Sequence, residues 1–413
     1  MKVLWFEVTP PGKYLGESMV IGGWQDSLER VLCKCSEVEL TVCFEVYEPS
    51  DIKVIDRVTY IPMYIAYNSR EKKLSRQTWE VNAQKLISAM KKVVAELQPD
   101  IIHVFGTEWP YGLIAEHTDI PVVIHIQGAI VPYNNAMYPP KYGLFDVLHE
   151  IGIAHPIRIR KAWHEYKFDC SRQQIEQRIW KSVSNYMGRT NWDQALSEMM
   201  HPGRTYFHVE EALRSEFTMG QSSWEMPQEQ KVTLISTGCS TFWKGPDMLL
   251  KTAHVLKEYG LNFEWKVAGC MRESVKRIVE MKESKRFEDN NITFLGFINP
   301  QVLKEHLLSS TMYIHTAYIE NSPNSICEAQ CLGIPIVSTN VGGISTLIKN
   351  GEQGDLVPAN DPWQMAYAII MLSKDKDRML RYSQNSKAVA MKRHDDANIR
   401  NQLLNVYHTL LKD

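Results

Sequence analysis

Residues 318–338 read YIENSPNSICEAQCLGIPIVS, from Tyr318 to Ser338. The pattern is loop, helix, turn and buried strand. Ser322 followed by Pro323 predicts an N-cap with proline in the first helical position. The helix is expected to run to about Leu332 and stop at Gly333, with Pro335 just beyond. Ile336–Ser338 then reads as a strand. A helix N-terminus offers free amides and the positive end of a dipole, which suits a phosphate. Glu320 stands just before this helix and Glu328 inside it. Each carboxylate can accept two hydroxyls, which matches the vicinal diols of a ribose and of a hexose. A phosphate between two diol readers describes a nucleotide sugar.

The same alternation extends in both directions. Short β-branched runs bounded by turn residues predict strands buried in a parallel sheet, at Val3–Val8, Thr41–Val46, Val58–Pro62, Ile101–Phe105 and Val122–Ile126. Lys72–Leu97 reads as one long amphipathic helix and Tyr111–His117 as a short one. After the polar, aperiodic stretch Glu216–Gln230, the alternation restarts. Strands are expected at Val232–Thr237, Phe263–Ala268, Ile292–Leu295 and Met312–His315, with helices at Pro246–Tyr259, Glu273–Phe287, Val302–Leu308 and Trp363–Ser373. Such alternation predicts α/β architecture. The expected division is a domain over 1–220, a second over 221–392, and a terminal helix in 393–413, at Ala397–Leu411. Ligands of such sheets bind at the carboxyl ends of the strands.

Composition narrows the class. The chain has 413 residues, 44% hydrophobic and 23% charged, which excludes a disordered chain, a collagen-like fibre and a coiled-coil rod. A net charge of −2, from 46 Lys+Arg against 48 Asp+Glu, argues against a nucleic-acid partner. The eight cysteines are scattered without a CxxC pair, which points to reduced thiols and away from zinc. The opening MKVLWFEVTPPG lacks a signal-peptide pattern and no run of about 18 apolar residues occurs, so a cytoplasmic location is expected. Neither a G-x-G fingerprint nor a P-loop is present.

Four further stretches carry chemistry. Lys244-Gly245 ends the Gly238–Gly245 turn after a strand, where a lysine can meet a diphosphate as a point charge. Gly22-Gly23 lets backbone approach a ligand closely. Pro121–Gly128 is a strand running into His125-Ile-Gln127-Gly128. His125 reads as a packed strand histidine ahead of a base, and Gln127 can hydrogen-bond but carries no proton. Residues 157–182 interleave Arg158, Arg160, Lys161 and Lys167 with Trp163 and Tyr166, a pattern open to peripheral contact with an anionic inner membrane face or to an ordinary solvated helix.

Glu320-x7-Glu328, Ala329, Gly333-Ile-Pro-Ile-Val and Val341-Gly-Gly together resemble the donor signature of the retaining glycosyltransferases of family 4, in the form found in bacterial polysaccharide-assembly members. The resemblance is strong over about 230–375 and looser before it, through Gly22-Gly23-Trp24, Pro99-Asp100-Ile-Ile-His103 and Gly188-Arg189-Thr190. It implies a GT-B fold of two Rossmann-like domains with parallel sheets facing across a deep cleft, and a terminal helix returning to the first. It implies sugar transfer from a UDP- or GDP-linked donor to a hydroxyl of a glycan or lipid-linked glycan, with no cofactor and no metal. Glu320, Lys244 and Gly23 are the implied catalytic residues. Gly22, Ser240, Ser322, Pro323, Asn324, Ser325, Glu328 and Gly296 would bind the donor, Glu328 at the ribose and Glu320 at the sugar. His125, Gln127, Glu108 and Arg189 would contact the acceptor or sugar. The chain departs from the family in having Cys239 where an arginine often stands five residues before the lysine, and Gln127 where a histidine often precedes the glycine. Two rivals share the fold: a sugar-nucleotide epimerase, which needs no acceptor, and a non-catalytic nucleotide-sugar or glycan-binding protein.

Overall fold

The computed structural model describes residues 1–16, 23–150, 155–220, 222–228 and 230–412. They form two compact units. Met1–Val131, Arg160–Ala212 and His394–Asp413 make the first, and Pro132–Ile159 with Leu213–Arg393 the second. The expected first domain of 1–220 therefore loses 132–159 and everything after Ala212. Apolar partners, not position in the chain, decide which core a segment joins.

Among the described residues the first unit carries eight strands: β1 Lys2–Glu7, β2 Glu39–Val46, β3 Lys53–Ile55, β4 Val58–Tyr64, β5 Ile101–Phe105, β6 Val122–His125, β7 Asn185–Gly188 and β8 Thr205–His208. Their order is β3-β4-β2-β1-β5-β6-β7-β8. All neighbours are parallel except β3 and β4, which form an edge hairpin around Asp56-Arg57, both at positive φ. Sequence pattern misses β3, β7 and β8: they are as short as β6, but KVI, NYMG and TYFH offer no uninterrupted β-branched apolar run of the kind that marks β6.

The long helix expected over Lys72–Leu97 is two helices, Ser69–Leu74 and Glu80–Leu97. The break is held by a distant residue: Ser171 Oγ lies 2.9 Å from Thr78 Oγ1 and accepts the Trp79 amide at 2.9 Å. The terminal helix, Asp396–Leu410, packs Ile399, Leu403, Val406 and Tyr407 into the core around β1. There the Tyr407 hydroxyl meets Trp5 Nε1 at 3.0 Å and His103 Nδ1 at 2.8 Å.

Among the described residues the second unit has six parallel strands: β9 Val232–Thr237, β10 Phe263–Ala268, β11 Ile292–Gly296, β12 Met312–His315, β13 Ile336–Thr339 and β14 Asp355–Val357, in the order β11-β10-β9-β12-β13-β14. The bounds of β9, β10 and Pro246–Tyr259 agree with the sequence reading. The helix Lys376–Arg393 escapes it, since its hydrophobic face is sparse. Within the expected linker, Trp224 is fixed to this unit, buried, with Nε1 donating to the Ser310 carbonyl at 2.7 Å.

Candidate functional site

In the second sheet the strand order reverses at β9, which has β10 on one side and β12 on the other. Open parallel sheets bind ligands outside the carboxyl ends of their strands at such a reversal. Two loops leave there, 238–245 after β9 and 316–322 after β12, and hydrogen bonds join them. The Tyr318 amide donates to the Trp243 carbonyl at 2.7 Å, and Thr316 Oγ1 donates to the Lys244 carbonyl at 3.0 Å. Gly245, at φ 72°, sits so close that a Cβ there would lie 2.0 Å from the Thr316 carbonyl oxygen. On the far flank the Gly343 amide donates to the Glu320 carbonyl at 3.0 Å. Gly342, at φ 51°, would place a Cβ 1.8 Å from that same oxygen.

This packing brings Lys244 and Glu320, 76 positions apart, into direct ion pairing. The Glu320 carboxylate is nearly buried, while the lysine is 30% exposed. His315 Nε2 lies 3.6 Å from Glu320 Oε1, beyond hydrogen-bond range. Burial lowers His315 to about 4, so its imidazole is neutral at pH 7. A cation reachable from solvent and a fixed acceptor beside it can receive, respectively, a phosphate and a hydroxyl.

The donor-side helix is Asn324–Leu332, capped by Pro323, so it starts one residue later than expected and Ser322 lies outside it. The Asn324 and Ser325 amides open its first turn, where no intrahelical acceptor exists. Ser325 hydrogen-bonds Tyr313, whose hydroxyl also meets Thr237 Oγ1 at 2.9 Å. Ser240 is half-buried in the loop after β9, and Gly296 ends β11 with open space beside it. The Cys239 thiol is buried and pushed up to about 12, chiefly by desolvation, so it adds no negative charge beside Lys244.

Glu328 is buried, and Arg214 holds both of its oxygens, Nε to Oε1 and Nη2 to Oε2, each at 2.7 Å. Desolvation raises its carboxyl and Arg214 opposes this. Arg214 is a residue the sequence reading missed. It stands in an aperiodic stretch 114 positions away, and only the fold reveals the pairing.

The remaining expected site residues lie in the first unit. Gly23 is exposed and caps the helix Trp24–Leu32. Gly22 falls outside the described residues. The Glu108 carboxylate is raised by burial but accepts backbone amides of Thr107 and Gly128. Glu176 accepts the Ile130 amide at 2.8 Å and the Thr107 hydroxyl at 2.7 Å. Together these two acids fix the turn that carries half-buried Gln127.

Two expected contacts are structural instead. His125 is fully buried, edge-on to Trp24 at 4.7 Å and stacked on His103 at 5.5 Å, and neither ring nitrogen has a hydrogen-bond partner among the described residues. Burial drives its pKa well down, and it is a neutral aromatic of the core. Arg189 is 4% exposed, pairs with buried Glu211 at 3.2 Å and lies 4.7 Å over the Trp24 ring. An arginine so enclosed holds the end of β7 in place and is not available to an acceptor.

Residues 223–389 match the family model "Glycosyl transferases group 1". The putative colanic acid biosynthesis glycosyltransferase WcaL of Salmonella typhimurium is 28% identical over 147 residues, 34% of this chain and 36% of that protein. Against the curated relatives named first, the matched stretch spans less than half of their length. Sucrose-phosphate synthase from Thermosynechococcus elongatus superimposes with a TM-score of 0.72 at 14% identity, over 100% of this chain and 99% of that one. The Anabaena protein HepE, solved with UDP-glucose, gives 0.66 at 14% identity over 99% and 100%. The fold is GT-B: two α/β domains built on parallel sheets.

Proposed function

We propose that this chain is a retaining glycosyltransferase that moves a sugar from a UDP- or GDP-linked donor to a hydroxyl of a glycan or lipid-linked glycan acceptor, in cell-surface polysaccharide assembly. The observation that carries the reading is the Lys244–Glu320 pair at the strand-order reversal of the unit that matches the family model. A bound diphosphate takes Lys244 and the first-turn amides of Asn324 and Ser325, and Glu320 is then released to the hydroxyls of the donor sugar. As the glycosidic bond to phosphate breaks, negative charge grows on the leaving diphosphate, and Lys244 stabilises it where it develops. Glu328, oriented by Arg214, keeps spare lone pairs for the ribose. The reaction needs no resident metal, because the lysine and helix amides supply the positive field.

A relative named for colanic acid biosynthesis, and the UDP-glucose bound to the fold neighbour HepE, support this substrate class. The protein works in the cytoplasm. Exposed Ile159, Trp163 and Tyr166, one helical face beside Arg160, Lys161 and Lys167, support a peripheral stay on an anionic bilayer. Flotation with phosphatidylglycerol vesicles checks that contact, and recovery of all the protein in the unbound fraction would refute it.

Lys244→Ala and Glu320→Ala are each expected to lower transfer by about 100-fold or more, with circular dichroism unchanged. The assay screens UDP- and GDP-sugars for binding and then for transfer, with and without EDTA. Wild-type turnover in both variants would overturn the site. A donor isomerised without acceptor would select the epimerase.

A further inference from the structure

Two cavities of about 280 and 400 Å³ open beside each other in the first unit. Both are lined by Glu45, Tyr47 and Trp109, so they form one furrow. It lies at the carboxyl ends of β1, β2 and β5, the side on which sheets of this kind bind ligands. The larger cavity is within the usual range of a ligand site, and the smaller adds to it along the shared lining.

The lining decides the ligand. Tyr47 is 90% exposed, and the partly exposed Trp109 packs against Trp79 with ring centroids 5.0 Å apart; Tyr47 and Trp109 line both cavities. Tyr67 lines the first cavity, and burial raises its phenol to about 12, which keeps it a hydrogen-bond donor at neutral pH. Trp79 is 7% exposed, and its indole N–H has no partner among the described residues. Glu45 and Asn82 add acceptors and a donor. Among the described residues no lysine or arginine lines either cavity, so those linings offer a phosphate or nucleotide no counter-charge. Aromatic plates with scattered acceptors and donors match a pyranose, which has apolar C–H faces and a rim of hydroxyls.

We propose that this furrow binds the non-reacting sugars of a neutral glycan acceptor, with Tyr47 and Trp109 as stacking platforms and Glu45 accepting hydroxyls. The proposal rests on the transferase reading for its biological role, but its binding claim can be tested alone. The full-length chain is titrated by calorimetry with cellohexaose, mannohexaose, isomaltohexaose and, as an acidic probe, a hyaluronan hexasaccharide. Binding of a neutral hexasaccharide, weakened at least tenfold in Tyr47→Ala and Trp109→Ala and threefold or more in Glu45→Gln, is the expected result. Weaker binding of the acidic probe is expected as well, because Glu45 and Glu48 line the furrow. UDP-glucose titrated into the same samples reports on the other unit. Hexasaccharide binding without nucleotide-sugar binding would sink the transferase reading and leave the furrow standing. Nucleotide-sugar binding with no hexasaccharide bound, or with binding unchanged in both aromatic variants, would overturn the furrow. Melting curves of the variants separate loss of a contact from loss of the fold.

Discussion

Two single residues of the second unit carry large consequences. Gly342 combines φ 51° with a Cβ position 1.8 Å from the Glu320 carbonyl oxygen. Gly342→Ala must push the Glu320 loop away from the Val341–Gly343 turn, at about 1–3 kcal/mol. Lost donor affinity at near-native secondary structure is the expected outcome, measured by UDP-sugar titration. An unchanged affinity would show that the loop position does not matter. Arg214 is the second. Arg214→Met leaves the Glu328 carboxylate buried and unpaired, and loss of one partner of a buried pair costs about 3–5 kcal/mol. Urea unfolding reads this directly, and a shift below 1 kcal/mol would show that water reaches Glu328. Arg214 does not announce itself in the sequence. Gly342 belongs to a legible Val-Gly-Gly motif, yet the atom it must avoid is 22 positions earlier in the chain.

Elements show where local pattern suffices and where it fails. β9, the helix Pro246–Tyr259 and β10 are legible to the residue because Gly245, Pro246 and Gly260 punctuate them. The helix pair Ser69–Leu74 and Glu80–Leu97 is not, because Ser171 makes the break from a distant helix. The terminal helix is legible as amphipathic, but its partner is not. Tyr407 is the test. Its hydroxyl serves Trp5 Nε1 and His103 Nδ1, both deep in the core. Tyr407→Phe strands two buried polar groups, each at about 1–3 kcal/mol. Differential scanning calorimetry should show a lower melting temperature, and an unchanged one would mean that those groups find other partners.

At the scale of the whole molecule, stability depends on pH through opposed sets of buried groups. Burial raises Glu176 to about 7 and Asp26 to about 6. A raised carboxyl binds its proton more tightly folded than unfolded, so its stabilisation is full below its unfolded value near 4.5 and is lost as pH rises through 7. His103 at about 3 and His315 at about 4 act in the other sense, favouring the folded state as pH rises towards their unfolded value near 6.5. Glu176→Gln isolates one contribution. Relative to wild type, the variant should gain stability between pH 5 and pH 8, by on the order of 3 kcal/mol. A difference constant with pH would place the Glu176 proton elsewhere.

The sequence by itself determined the α/β alternation, most strand and helix bounds of the second unit, and the loop-helix-strand stretch that carries Glu320 and Glu328. These are local properties: periodicity records which face is buried, and Gly and Pro record where the chain must turn. Only the tertiary structure decided that Lys244 reaches Glu320, that Arg214 occupies Glu328, that 132–159 belongs to the second unit, and that Arg189 is core; for His125 it confirmed the packed strand reading and supplied the ring partners. Each depends on which strands become neighbours. Strand order is set by burial summed over a whole sheet, which no window of the sequence contains.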